Sequence, residues 1–280
     1  MGDKNFTMTP IKCFKSSYSQ NQVFLVEQSS RYTIINNEYK GIIVLDADWN
    51  EVKRIYIDED ILLPEIIYVD FSRNRLVLVL EETYCFIDID NEFVKLIPIP
   101  QEFKTVRFKT LYHFTDDAVY MNTSKGILCW SLEDFTVQLI EDVQVTDRLF
   151  CWFYIQSKDK HSYFHKGILT YFDSNNITII DSLKKVKIKD FVDINCFDVA
   201  ATARYCLAVA EDKLQLIKLD NDDKSKLISF KYPLYGACTV FFEQDDELDL
   251  ILLRWNDLEA TSILEEYLID FDKLPDHVVL

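Results

Sequence analysis

The sequence predicts an all-β fold of six four-stranded sheets packed radially about an axis. Three observations predict it: a hairpin with an acidic turn recurs, its spacing is nearly constant, and no amphipathic helix of convincing length interrupts it. The hairpin is clearest at residues 41–57 (GIIVLDADWNEVKRIYI). It returns at 83–99 (TYCFIDIDNEFVKLIPI), 126–140 (GILCWSLEDFTVQLI), 167–180 (GILTYFDSNNITII), 212–230 (DKLQLIKLDNDDKSKLISF) and 266–280 (EYLIDFDKLPDHVVL). Between the turn residues Asp48, Asp90, Glu133, Ser174, Asp220 and Asp272 the intervals are 42, 43, 41, 46 and 52 residues. Six units of roughly 45 residues each use the chain as a single domain.

Taken in order, residues 8–14 form a short candidate strand and 15–21 a polar linker. The first unit, 22–57, offers strands at 22–27, 31–36, 41–46 and 51–57; the second, 65–99, at 65–71, 75–81, 83–89 and 93–99. The third, 104–140, offers 104–114, 118–123, 126–132 and 135–140; the fourth, 148–181, offers 148–156, 161–165, 167–173 and 176–181. The fifth, 192–230, offers 192–200, 204–210, 213–219 and 225–230; the sixth, 236–280, offers 236–243, 248–255, 262–270 and 276–280. Each run is bounded by turn-forming residues, as strands require. Residues 258–270 also carry a helical spacing through Leu264, Tyr267 and Leu268, which the repeat overrides. A ring must join its first and last sheets or leave two open strand edges. Residues 8–14 are placed to do this on the sixth unit, as its outer strand or beside 276–280; an N-terminal arm without a closing role is the alternative.

In this periodicity the chain resembles six-bladed β-propellers over nearly its whole length. The resemblance is one of spacing, not of motif. The sequence has no Gly-His…Trp-Asp pattern of WD repeats, no Gly-Gly of kelch blades and no Ser-x-Asp-x-Gly-x-Thr-Trp turn of sialidases. Its Asp48–Trp49 dipeptide falls in a turn instead of at a strand end.

Composition narrows the function classes. Hydrophobic residues make up 49% of the chain, which supplies a large core and argues against disorder. With 5 Gly and 6 Pro, the turns are expected to rely on Asn, Asp and Ser. The formal charge of −17, from 47 acidic against 30 basic residues, repels nucleic acid and anionic membranes and draws in a basic partner. It also serves solubility alone. Cys13, Cys85, Cys129, Cys151, Cys196, Cys206 and Cys238 are odd in number, irregular in spacing and without a Cys-x-x-Cys pair. They read as small buried hydrophobes of a reducing cytoplasm, not as a disulfide framework or zinc site. Residues 1–7 (MGDKNFT) lack a leader's apolar run, Phe6 stands where myristoylation needs Ser or Thr, and no stretch is apolar enough to span a membrane.

Catalytic patterns are weak. Asp46-x-Asp48-x-Asn50 and Asp88-x-Asp90-x-Glu92 resemble the start of a calcium loop, but Glu51 and Phe93 stand where its glycine belongs, and Ile57 and Ile99 where its glutamate belongs. Short turns in which Asp bonds its own backbone are the simpler account. His161 and His165 would lie about 13 Å apart along a strand, too far for one metal. No Gly-x-Ser-x-Gly and no glycine-rich phosphate loop occurs, and 47 acids make any carboxylate pair uninformative. No cofactor or metal is expected. Lys184, Lys185, Lys187 and Lys189 form the one basic cluster, read as a solvated outer strand.

The acids between blades carry more. The face made by inter-blade links and by turns between second and third strands bears Asp58, Glu59, Asp60, Glu81, Glu82, Glu141, Asp142, Glu211, Asp212, Asp257 and Glu259. The opposite face bears Asp116, Asp117, Asp220, Asp222, Asp223, Asp245, Asp246 and Glu247, so sequence alone does not choose between them. Trp49 and Trp255 are candidate aromatic anchors, or else buried. These features lead to a cytoplasmic, non-enzymatic protein-binding module, a monomer that forms a heterodimer with a basic protein. In acidity and lack of catalytic motifs the chain is similar to immunity proteins of bacterial contact-dependent growth inhibition systems. That resemblance implies a basic toxin partner, a nuclease in its most specific form, neutralised by occlusion of its active site. A scaffold subunit, and a propeller enzyme acting on glycans or lactones, are the alternatives; buried carboxylates at the central channel would favour the enzyme.

Overall fold

The computed structural model describes residues 8–15, 23–57, 66–140, 161–165, 168–172, 176–192, 196, 198–210, 212–219, 224–231, 234–244, 247–256 and 261–280. After β1 (Lys12–Lys15), the strands group in chain order into sheets. Blade 1 is β2 (Val26–Gln28), β3 (Thr33–Asn36), β4 (Gly41–Leu45) and β5 (Glu51–Tyr56); blade 2 is β6 (Ile66–Asp70), β7 (Arg75–Val79), β8 (Thr83–Asp88) and β9 (Phe93–Pro98). Blade 3 is β10 (Phe108–Phe114), β11 (Ala118–Thr123), β12 (Ile127–Ser131) and β13 (Val137–Ile140). Blade 4 is β14 (His161–His165), β15 (Ile168–Phe172), β16 (Asn176–Asp181) and β17 (Val186–Val192). Blade 5 is β18 (Asp198–Ala201), β19 (Tyr205–Val209), β20 (Lys213–Lys218) and β21 (Ser225–Ser229). Blade 6 takes β22 (Leu234–Gln244), β23 (Glu247–Asn256) and β24 (Thr261–Ile269), and β25 (His277–Val279) ends the chain.

Within each sheet the strands are antiparallel neighbours in sequence, and the first strands meet around the axis: β6 touches β10, β10 touches β14, β14 touches β18, β18 touches β22, and β22 touches β2. The fold is a six-bladed β-propeller. Its core lies between blades. Ile34, Ile42 and Val44 of blade 1 pack on Leu76, Leu78 and Ile87 of blade 2. Tyr84 and Phe86 of blade 2 pack on Val119, Leu128 and Trp130 of blade 3. Blades 4 and 5 join through Ile177, Ile179, Cys206 and Ile217; blades 5 and 6 through Leu207, Leu214, Leu250 and Tyr267; blades 6 and 1 through Ile251, Leu253, Ile35 and Leu45. Middle strands are thus covered on both sides and read as apolar runs, RLVLV in β7 for example. Strict alternation survives only on outer strands such as β9, where exposed and half-buried positions interchange.

Closure uses both termini. β1 pairs antiparallel with β24, Lys12 opposite Glu266 and Lys15 opposite Ile263, and is the outer strand of blade 6. The N-terminal clasp therefore forms as expected. Residues 276–280 do not: β25 leaves blade 6 and adds, in parallel, to the outer edge of blade 5, Leu227 opposite His277 and Ser229 opposite Val279. The C-terminal segment thereby ties blade 6 back to blade 5, with Phe271, Leu274 and Val278 buried in the seam. Blade 4 also differs. Residues 176–181, expected as its last strand, are third in the described order, and the lysine-bearing β17 is outermost. The expected strand at 148–156 lies outside the described residues. Residues 261–269 are strand, not helix.

The turns explain how so few glycines suffice. Glu38, Trp49, Asn74, Glu92, Phe135 and Lys185 all adopt φ between 52° and 62°, so left-handed turn positions are filled mostly by residues other than the expected Asn, Asp and Ser. Glycine is kept where the outer strand crosses close. At Gly41 (φ 130°) a Cβ would stand 2.0 Å from the Ile55 carbonyl oxygen, and at Gly126 (φ 146°) 2.9 Å from that of Ile140.

Candidate interaction faces and the axial channel

Strand order assigns each loop to one of two faces. The inter-blade links and the turns between second and third strands share the linker face; the remaining turns lie opposite. The linker-face turns are held by a recurring latch, in which the residue after an outer strand donates its N–H to the turn. Ile57 donates to Lys40 O at 3.1 Å, Ile99 to Glu82 O at 2.8 Å and Phe230 to Asp212 O at 2.8 Å. The latch fixes the backbone and leaves the side chains outward: Glu38, Glu81, Glu82, Glu102 and Asp212 are all exposed. Glu82 is ion-paired with Lys104. The face is not uniformly acidic, since Lys40 and Lys125 are exposed on it too. Among the sequence candidates the structure thus places Glu81, Glu82 and Asp212 on one face. Asp58, Glu59, Asp60, Glu141, Asp142, Glu211, Asp257 and Glu259 lie outside the described residues.

Of the two candidate tryptophans, Trp49 is not presented there. Trp49 belongs to the opposite face and is buried, its indole N–H donating to Thr33 Oγ1 at 3.1 Å and its ring packed with Val26, Leu253 and Leu264. It anchors the seam between blades 6 and 1, which corrects its reading as a partner anchor. Trp255 stands on β23 with its backbone opposite Ser262; its side chain is outside what is described.

The opposite face uses several of its acids internally. Asp90 of blade 2 accepts from Asn74 at 2.9 Å and from the Tyr32 hydroxyl of blade 1 at 3.1 Å, and pairs with Arg31. These donors, Asn74 first, hold its carboxyl below the usual range. Burial would raise Asp70, but the hydrogen bond and charge of Arg75, 2.6 Å away, carry it down instead. Arg75 also donates to Thr115 O of blade 3 at 3.0 Å, and Arg73 reaches Asp116 there. The calcium-like turns are self-capped. Asp46 Oδ1 accepts the N–H groups of Asp48 and Asn50, both at 2.9 Å, and Asp88 accepts Asn91 N–H at 3.0 Å.

A third site was not visible in the pattern. Glu27 on β2 and Asp198 on β18 both belong to first strands and are half-buried toward the axis. Burial, and then the Asp198 charge, push Glu27 up to about 8. Burial lifts Asp198 to about 6 against the Val199 N–H, which it accepts at 2.8 Å. Tyr112 on β10 is raised by burial and by the Glu27 charge, and its hydroxyl donates to Val69 O at 2.8 Å. Glu27 of blade 1 is thus within electrostatic reach of Asp198 on blade 5 and Tyr112 on blade 3.

Comparison with known proteins adds the fold and nothing finer. No family model matches the chain, and no curated protein matches it. Among solved structures it is similar to Kluyveromyces lactis Hsv2, with a TM-score of 0.51 at 9% identity over 89% of this chain and 98% of that one. The AfRom2 CNH domain gives 0.48 at 11% identity, covering 95% of this chain and 99% of that one. The Myceliophteria thermophila Cps50 (Swd1) β-propeller domain gives 0.46 at 8%, covering 92% and 99%. At such identities the likeness is one of architecture alone.

Proposed function

We propose that the chain is a non-enzymatic, cytoplasmic protein-binding propeller whose linker face receives a basic protein. The observation that supports the choice of face is the fate of its carboxylates. Glu38, Glu81, Glu102 and Asp212 are exposed with no ion pair to any described residue, whereas Asp70, Asp90 and Asp116 opposite are bonded to arginines. Acids without an ion pair to a described residue also occur opposite, at Asp48, Asp117, Glu133 and Glu247, so the support lies in the arginines that bind Asp70, Asp90 and Asp116 there. Unpaired charges carry no cost of breaking internal bonds and keep their full field for steering. With a net charge of −17, the finer form of this reading is an immunity protein that occludes a basic toxin, a nuclease if its carboxylates stand in for phosphates. It would work as one partner of a heterodimer; a scaffold subunit would use the same face.

The test begins with the basic protein that copurifies with the tagged chain from its own cells. Reversing Glu81 and Asp212 to Lys is expected to slow association several-fold at low salt, and raising salt to slow the wild type likewise. The control reversal of Asp117 and Glu133 is expected to change association by less than about twofold. Salt-independent binding, or equal effects from both faces, would sink the proposal.

A second reading starts from the half-buried acids of two first strands, in which Glu27 and Asp198 would hold a cationic or hydroxyl-rich small molecule, as in a propeller enzyme. Under it, Glu27→Gln would abolish ligand uptake seen by calorimetry while leaving the basic partner's affinity unchanged. Retained uptake would reject this reading.

A further inference from the structure

The outer edge of blade 4 carries a surface that the acidic faces do not explain. In a chain of net charge −17, Lys184, Lys185, Lys187 and Lys189 are gathered on β17 and the turn before it. Exposed apolar side chains stand among them: Leu183 is 73% exposed, Val186 56% and Val192 69%. Lys184 pairs with Asp181 at 3.1 Å and Lys187 with Asp190 at 2.5 Å, local pairs at exposed positions that cost little to exchange. β17 ends its sheet, so among the described residues no strand covers its outer side.

The same molecule shows what such an edge accepts. On blade 5 the outer strand β21 is covered by β25, in parallel. Leu227 N–H donates to Asp276 O at 2.8 Å, Leu280 N–H to Ser229 O at 2.8 Å and Lys231 N–H to Leu280 O at 2.9 Å. Lys226 Nζ holds the Asp276 carboxylate at 2.8 Å, while Val278, two residues on, is 3% exposed. The two outer strands match in sequence. Residues 185–191 read KVKIKDF and residues 224–230 read KSKLISF, which sets Lys187 where Lys226 stands. Their registers agree at the start, Val186 and Ser225 each being the first residue paired to the preceding strand and Lys187 and Lys226 the second, before an irregularity at Ile179 and Ile180 shifts β17 by one residue. One edge is filled by an extended segment with an acid followed two residues later by a buried valine; the matching edge is covered by no described strand.

We infer that β17 is a docking edge for an extended segment of a partner protein, with an acidic residue set against Lys187 and apolar residues against Val186 and Val192. Backbone pairing would supply the affinity and the lysines the selection. The lysines and the irregular register at Ile179 and Ile180 also keep unsuited apolar strands off an open edge. A charge that repels the wrong strand is the charge that admits an acidic one.

The probe is the peptide LPDHVVL, residues 274–280 of this chain, labelled with a fluorophore and a photo-crosslinker and added to the full protein. Saturable binding with crosslinks to residues 183–192 is expected, together with a loss of about tenfold in the Lys184→Glu/Lys187→Glu variant, two reversed exposed pairs. A peptide with Lys in place of Asp276 should bind equally weakly. Both lysines are exposed, so an unchanged melting curve will show that the variant folds. Crosslinks confined to 224–231 would mean exchange with the resident C-terminal strand and would overturn the inference. So would unchanged affinity in the variant, lysine-dependent self-association, or lysine-dependent binding to phosphatidylserine vesicles without peptide binding.

Discussion

Replacing Glu265 with alanine is expected to lower the free energy of unfolding by about 3–5 kcal/mol, because it strands a buried guanidinium. Arg254 on β23 is 7% exposed and Glu265 on β24 is 9% exposed, on the side of blade 6 that meets blade 5. Arg254 Nε donates to Glu265 Oε2 at 2.8 Å, and the Tyr267 hydroxyl donates to the same oxygen at 2.9 Å. The guanidinium also lies 5.6 Å from the Phe230 ring of blade 5, so the pair joins two blades. Without the carboxylate nothing compensates the desolvated charge. The companion variant Arg254→Met/Glu265→Leu/Tyr267→Phe removes charge and partners together, and is expected to match or exceed wild-type stability. Urea unfolding of both decides the matter. A loss below about 1 kcal/mol in Glu265→Ala would mean that the cation is solvated after all.

That pair also marks where sequence reading loses its grip. A charged residue in a strand reads as the wet side of a sheet, and β9 or β5 obey that rule because they are outermost. In a propeller the inner strands have no wet side, so Arg254, Glu265, Asp249 and Glu266 are interior, and Glu27 and Asp198 face the axis. Nothing local separates them from surface acids; only the closed ring does. The hairpins are legible because their signal is local, as in the self-capped turns of Asp46 and Asp88. Residues 276–280 pair on an unexpected blade because an apolar run says that it pairs without saying with which edge. The lysine cluster reads as a solvated outer strand, and Lys187 and Lys189 of β17 suit that position, but the spacing of the repeat ends blade 4 one strand too early. Trp49 lies in a polar turn that looks exposed in sequence; a φ of 62° folds its ring back into the seam.

The second seam of blade 6 is expected to weaken as pH rises, and Asp249→Asn to remove most of that dependence. Asp249 on β23 and Glu266 on β24 face blade 1, buried at 9% and 5% exposure. Burial, then the charge and hydrogen bond of Glu266, push Asp249 up to about 7, with Lys12 opposing. Lys12 arrives on the clasp strand directly opposite Glu266 and meets its Oε2 at 2.6 Å. Arg31 and Asp46 line the same cavity of about 110 Å³ from blade 1, and their opposite charges offset each other. With Asp249 protonated, the trio with Lys12 is neutral. Without that proton, two anions face one cation. An acid whose folded-state pKa lies above its unfolded value of about 4 binds more protons when folded, so its stabilising contribution is greatest below about pH 4 and falls through about pH 7. Acid-labile carboxylates such as Asp70 and Asp90 have the opposite slope, losing stability as pH falls. The informative quantity is therefore the difference between Asp249→Asn and wild type. It should grow in favour of the variant from about pH 4 to about pH 7 and reach a few kcal/mol, because each tenfold change in proton affinity on folding is worth about 1.4 kcal/mol. Hydrogen exchange in Lys12–Lys15 should quicken over the same interval in wild type and stay flat in the variant. Parallel pH profiles for the two proteins would show that Asp249 carries no proton in the folded seam and that the clasp closes independently of it.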